Sequence, residues 1–342
     1  MKPKLLIIEL WGVGDLAIAT PFIRKASEQF DVTVLAKPFA FDLQPRFWPS
    51  VKILPFNAPW TAFAHASKYN LFHWPWREMF ALRKNVRREH FDTALSARRD
   101  DPRDHVLLKM SRAKRRLGFP RIGSQAFLTD ALAIRDLHAH RYDHWRLIAQ
   151  ALDLDLESRD DLRFQPRSGS RAILIHTGAA RSIRVWPLQH YSRLVKQLRA
   201  LGNEVRVLCN PDQLAWWQNA GEKTCLAPDS ISKLLNVIDE AGLFIGNDSG
   251  PGHLAAICGL PTFTLFGPQV PEWFMPIHQR SEFFEGKACP YKPCSDYCRF
   301  STPFCLTGVS FEDAWPRIAT FIERNSPAAQ PDSPPFILAA QS

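Results

Sequence analysis

The chain has 342 residues, 46% of them hydrophobic and 23% charged, which is apolar content enough for two cores of ordinary domain size. Lys and Arg number 43 against 34 Asp and Glu, a formal charge of +9 concentrated in RKNVRR (Arg83 to Arg88) and RAKRR (Arg112 to Arg116). Such runs serve an anionic partner or a solvated helix face, and with no helix-turn-helix, RRM or KH signature beside them nucleic acid is not the expected ligand. Seven Cys are too sparse for a disulfide scaffold, no apolar run approaches a bilayer span, and Glu9 interrupts the first run too early for a signal peptide. The composition therefore predicts a cytoplasmic protein.

In chain order, KLLIIEL (Lys4 to Leu10) predicts a strand, Gly12 and Gly14 a turn, and Leu16 to Phe30 a helix by its apolar spacing. VTVLA (Val32 to Ala36) and VKILPF (Val51 to Phe56) read as further strands. A basic helix over Met79 to Glu89, a strand over Phe91 to Ser96 and a helix over Asp143 to Leu152 complete this half. Strands alternating with helices imply crossover connections and a parallel sheet. The polar stretch from Asp153 to Ser170 reads as a linker, after which the alternation restarts. Strands are expected at Ile173 to His176, Glu204 to Cys209, Leu243 to Gly246 and Thr262 to Phe266, with helices at Leu188 to Leu201 and Phe311 to Arg324. The fold expected is α/β, two Rossmann-like doubly wound parallel-sheet domains over residues 1–155 and 168–325, followed by a disordered tail over 326–342 that carries four Pro.

The density of special residues in GNDSGPGHLAA (Gly246 to Ala256) marks the carboxyl end of a parallel strand, where ligands of α/β sheets collect. Pro251 and Gly259 bracket a short helix whose free N–H groups and dipole suit an anion. Gly250 and Gly252 would let a phosphate approach the backbone, Asp248 would accept from sugar hydroxyls, and His253 would donate to phosphate. The plainer alternative makes Asp248 and Ser249 helix caps and His253 a surface residue. A second anion site is expected in HTGAARSIRVWP (His176 to Pro187). There Thr177, Gly178 and Ala179 form the turn, and Arg181 and Arg184 supply forked donors for a diphosphate. His176 itself reads either as a donor contact or as a satisfied core histidine.

WGVGD (Trp11 to Asp15) satisfies a relaxed dinucleotide pattern through Gly12, Gly14 and Ala17, yet Ala36 and Lys37 stand where the acidic ribose ligand belongs. NAD is disfavoured. Asp15 is a carboxylate at the helix start, which suits a base better than a phosphate cradle, unless it is an ordinary cap. Three Trp between Trp60 and Trp76 are a candidate sugar or lipid surface. Cys289, Cys294, Cys298 and Cys305 in CPYKPCSDYCRFSTPFC either close a tetrahedral zinc or iron site or remain reduced thiols, since their spacing lacks paired short knuckles. His138, His140 and His144 read as a surface helix entry.

Together, GVGDLAIATP (Gly12 to Pro21), HTGAARSIRVWP and GNDSGPGHLAAICGLPTFTLFGP (Gly246 to Pro268) resemble glycosyltransferase family 9, the heptosyltransferases of lipopolysaccharide core assembly, over about residues 3 to 325. The resemblance implies a GT-B fold with two domains facing across a cleft. The acceptor would lie on the first, beside Gly12 and Gly14, and the nucleotide-sugar donor on the second, at Thr177, Gly178, Arg181, Arg184, Asp248, Ser249, Gly250 and His253. It implies inverting transfer with Asp15 as general base and no catalytic cofactor, so a metal at the four Cys would be structural; an iron-binding version occurs among autotransporter heptosyltransferases. The implied partners are ADP-heptose or another nucleotide sugar, an anionic lipid-linked saccharide acceptor and the inner face of the bacterial inner membrane. Two departures stand out: Arg184 replaces the Lys often found two residues before Trp, and ARRDDPR (Ala97 to Arg103) is unusually charged. A protein or O-antigen acceptor, another nucleotide-sugar donor, and a non-catalytic nucleotide-sugar or polyanion binding module are the alternatives.

Overall fold

The computed structural model describes residues 1–61, 72, 74–98, 101–121, 123–294 and 296–326. The tail expected beyond Ser326 lies outside the described residues. The first half runs β1 (Lys4–Ile8), α1 (Val13–Gln29), β2 (Asp31–Ala36), α2 (Ala40–Phe47), β3 (Lys52–Pro55), α3 (Trp76–Glu89), β4 (Thr93–Leu95), α4 (Arg103–Ser111), β5 (Arg115–Gly118), β6 (Asp130–Ala131) and α5 (Arg141–Ala151). Its six strands are all parallel, in the order β3-β2-β1-β4-β5-β6. The second half runs β7 (Ile173–His176), α6 (Leu188–Ala200), β8 (Val205–Leu208), α7 (Leu214–Asn219), α8 (Ile231–Asp239) and β9 (Leu243–Asn247). It continues through α9 (Gly250–Ile257), β10 (Thr262–Phe266), α10 (Pro271–Phe274), β11 (Ser281–Glu285) and α11 (Phe311–Asn325). Its sheet is also parallel, in the order β11-β10-β9-β7-β8.

The uninterrupted apolar runs LLII and ILI sit on central strands because helices cover both faces there. Ile7 pairs with Val34 on one side and Leu95 on the other, while Ile175 pairs with Val207 and Ile245. The strand order thus reverses at β1 and at β7, and the turns leaving β1, β7 and β9 open at these switch points. One departure from the sequence reading concerns the basic runs. Only the first is an exposed helix face, on α3 above buried Leu82 and Val86; the second runs into β5, where Arg116 donates from Nε to the Phe127 carbonyl at 2.8 Å.

The halves are joined by an apolar cluster that includes Leu16 and Ile18 of α1 together with Phe244, Leu254 and Ala255. Segment 153–170 is less open than a polar linker would be, because Leu154 and Leu162 are buried in that same cluster. Arg46 on α2 forks onto Asp239 at 2.6 and 3.0 Å, and Asp42 accepts from the Ile231 N–H at the start of α8 at 3.1 Å. The N-terminal ends of α1 and α9 meet at two glycines. A Cβ on Gly14 would stand 2.8 Å from His253 Cδ2, and one on Gly250 would collide with Val13 Cγ1. Gly250 therefore serves this helix contact, a role that the sequence reading did not assign to it. Gly250→Ala is expected to destabilise the protein by about 1–3 kcal/mol in urea unfolding, through overpacking at this contact.

Candidate active site

Asp15 sits in the first turn of α1, its side chain 22% exposed. One carboxylate oxygen accepts from the Gly12 N–H at 3.0 Å, and the other accepts from Arg98 Nη1 at 3.1 Å. The Arg98 guanidinium in turn lies 3.9 Å from the centre of the Trp11 ring. Asp15 is thus a cap and an ion-pair partner at once, and each oxygen keeps acceptor capacity for a further proton donor.

Behind it lies a group of charges that the sequence reading did not single out. Glu9, just past β1, accepts from the Trp11 N–H at 3.3 Å and is buried; burial, then the Asp15 charge, push it up to about 8. Burial pulls Lys37, just past β2, down to about 8 against the pull of Asp15 and Glu9. Asp104 on α4 accepts from the Ser96 hydroxyl at 3.1 Å, and burial followed by the Asp101 charge push it up to about 7. Glu9, Asp15, Arg98 and Arg141 line one tight cavity of about 10 Å³. The available signal was position: Glu9, Lys37 and Ser96 are the first polar residues after three adjacent parallel strands.

In the second half Asn247, fully buried at the end of β9, ties the turns after β7 and β9 together. Its side-chain oxygen accepts from the Trp186 N–H at 3.0 Å and the Tyr191 hydroxyl at 2.8 Å. Its NH₂ donates to the Thr177 and Gly178 carbonyls at 3.0 and 3.2 Å. Thr177 departs from expectation: it has no exposed surface, and its hydroxyl donates to Gln213 at 3.0 Å and accepts from Trp217 Nε1 at 3.1 Å. It shapes the turn and presents no surface to a ligand. Gly178 is needed because a Cβ there would collide with the Asn210 side chain.

Arg181 is exposed at the start of the 3₁₀ turn Ser182–Arg184. Arg184 donates from Nη1 to Asp248 at 3.1 Å, and from Nε and Nη2 to Asp296 at 2.7 and 2.8 Å. Burial pushes Asp248 up to about 6; Arg184 opposes the rise, while Asp296 and Asp15 add to it. Helix α9 begins at Gly250, one residue before the expected Pro251. Ser249 holds the cap position without capping, because its hydroxyl donates to the Asn247 carbonyl at 3.1 Å and lies 3.3 Å from His176 Nδ1. The first amides of α9 are therefore free of a side-chain cap, as an anion site requires. His253 is buried, not a surface residue. Burial pulls it down to about 4, so it is a neutral donor or acceptor at pH 7, and its Nδ1 has no hydrogen-bond partner among the described residues. The Asp15 carboxylate acts through space on Asp248, His253 and Arg184, so the α1–α9 contact brings both candidate centres into one site.

Other expectations fare differently. His140 and His144 are buried, against the surface reading: His140 Nδ1 accepts from the Tyr142 N–H at 3.0 Å, and its Nε2 lies 2.8 Å from the Met275 carbonyl of the other half. His138 is exposed, as read, while His140 and His144 are buried where the start of α5 meets the other half. Trp60 is likewise buried, while Trp76 is 44% exposed; residues 62–71 and 73 lie outside the described residues. Cys289, Cys294, Cys298 and Cys305 are free and line one cavity of about 20 Å³ with Ile183 and Gly267. No group of three or more His, Cys, Asp or Glu among the described residues is arranged to hold a metal ion.

The family model described as glycosyltransferase family 9 (heptosyltransferase) matches residues 79–302, more than half of the chain. The chain belongs to glycosyltransferase family 9. Lipopolysaccharide heptosyltransferase 2 of Escherichia coli is 28% identical to this family 9 chain over 111 residues, 28% of the chain and 30% of that relative's length. The match thus spans less than a third of the curated relative. Among solved structures, Escherichia coli heptosyltransferase WaaC with ADP superposes with a TM-score of 0.71 at 16% identity, covering 94% of this chain and 99% of that one. The iron-containing dodecameric glycosyltransferase TibC from enterotoxigenic Escherichia coli gives a TM-score of 0.56 at 13% identity, over 95% and 78% of the two chains. The fold of this family 9 chain is therefore GT-B, two parallel-sheet α/β units.

Proposed function

We propose that this protein transfers heptose or a related sugar, with inversion, from a nucleotide-diphosphate sugar to an anionic lipid-linked saccharide of the lipopolysaccharide core. Residues 1–155 hold the acceptor and residues 168–325 the donor, with ADP-heptose the favoured donor given the heptosyltransferase relatives. The observation that carries the reading is the meeting of Asp15 with the uncapped start of α9 and Arg184. Asp15 takes the proton of an acceptor hydroxyl as its oxygen bonds to the anomeric carbon. The bond to the diphosphate breaks on the opposite face, and the nucleoside diphosphate leaves with the electron pair. Arg181, Arg184 and the amides from Gly250 onward meet the departing charge, Asp248 accepts from sugar hydroxyls, and neutral His253 donates one N–H. This charge stabilisation comes from the protein itself, and the mechanism calls on no cofactor.

An acceptor site is supported by a depression of about 660 Å³ past the end of β5, lined by Pro102, Pro120, Arg121, Gly123 and Gln125. Helix α3 offers the bacterial inner membrane's cytoplasmic face exposed Trp76 and Phe80 beside Arg83, Lys84 and Arg88. No described helix is long and apolar enough to cross a membrane. The deciding experiment incubates purified protein with ADP-heptose and a heptose-deficient core acceptor. The expected result is release of ADP and an acceptor heavier by one heptose, and absence of both rejects the activity. A donor at 100 times its Kd is also expected to add about 2.7 kcal/mol of stability in a thermal-shift series of nucleotide sugars.

A further inference from the structure

We infer that Asp296, in the cysteine-rich loop, is a positioning residue for the donor diphosphate, holding the Arg184 guanidinium with its outer N–H groups turned to the phosphates. The inference rests on the donor-site reading above. An arginine has five N–H donors. Asp296 takes the side-on pair, Nε and Nη2, at 2.7 and 2.8 Å, and Asp248 takes one from Nη1 at 3.1 Å. One N–H on each terminal nitrogen remains, and each can donate to an oxygen of a phosphate.

The loop is built to hold this orientation. The Cys294 N–H donates to the Pro268 carbonyl just past β10 at 3.3 Å, and the Tyr297 N–H closes a turn onto the Cys294 carbonyl at 3.0 Å. Asp296 lies inside that turn at φ 71°, a left-handed conformation that Asp tolerates better than most side chains. Its carboxylate is only 18% exposed. The four cysteines of the same loop line one small cavity with Ile183, the residue before Arg184, so the loop borders both the backbone and the guanidinium. A bidentate carboxylate on a largely buried arginine removes the rotamer freedom that binding would otherwise have to quench.

The test is calorimetry of ADP and of adenosine on wild type, Asp296→Ala and Asp296→Asn, with donor KM and kcat measured beside it. Asp296→Ala is expected to weaken ADP about tenfold and raise donor KM by the same factor. Adenosine affinity should stay unchanged, while kcat falls by up to the same factor because Arg184 also meets the departing charge. Asp296→Asn keeps one acceptor oxygen on Arg184 and should recover part of the loss; it also decides the matter if the alanine variant does not fold. Unchanged or tighter ADP binding in a folded variant overturns the inference, the tighter case showing that Asp296 competes with phosphate. Wild type that binds no ADP overturns the donor-site reading and this inference together.

Discussion

Asp15→Asn is expected to lower turnover by about 100- to 10,000-fold with the fold intact, the loss typical of removing a positioned general base. The amide keeps the size of the carboxylate and one acceptor oxygen for the Gly12 N–H, so the first turn of α1 stays capped. What disappears is the basic lone pair and the charge facing Arg98. The measurement is the rate of ADP release at saturating donor and acceptor, with a thermal melt to show that the variant is folded. Unchanged turnover would remove Asp15 from the base role and leave it as a cap.

Glu9→Gln is expected to stabilise the protein on the order of 3 kcal/mol at pH 8, an effect that shrinks towards zero as the pH falls to about 4.5. Glu9 titrates near 8 in the folded chain, against an ordinary value of 4.5, because burial and then the Asp15 charge disfavour its ionised form. The folded state therefore holds a proton that the unfolded chain releases. The stabilisation from this group is full below about 4.5, falls steadily through the window between 4.5 and 8, and is gone above it. Gln mimics the protonated form at every pH and removes the slope. Urea unfolding of both proteins from pH 4 to 9 checks this, and parallel stability curves would show that Glu9 is ionised in the folded state.

Most strands and helices that position the site were legible because their signals are local. KLLII followed by Gly12 and Gly14, and LFIGN followed by the Gly- and Pro-rich turn, carry apolar period and turn chemistry within about ten residues each. The elements that escaped lacked such signals. β5 is half arginine, its stems lying along an outer strand and its guanidinium groups reaching carbonyls and Asp130. β11 is a short edge strand with charged ends, recognisable only once β10 lies beside it.

The site divides in the same way. Asp15 and the residues from Asp248 to His253 were found from their place after a strand, whereas the partners of Arg98, Asn247 and Asp296 left no mark in the neighbouring sequence, although Arg98 stands in ARRDDPR and Asn247 in GNDSGPGHLAA. Asp296 meets Arg184 across 112 positions of chain, and Asn247 meets Trp186 across 61. The roles of the glycines also needed the packed structure, since Gly14 and Gly250 answer to side chains of the opposite half.

What the amino-acid order determined alone was the alternation of strands and helices and the presence of a carboxylate and an anion-binding helix start just after strands. Those follow from neighbours in sequence, through side-chain period and turn stereochemistry. Only the tertiary structure decided which arginine is already paired, which histidines are buried and neutral, and which acids hold their protons. Those properties depend on how much water remains around a group and which charges stand nearby, and both are set by segments far apart in the chain.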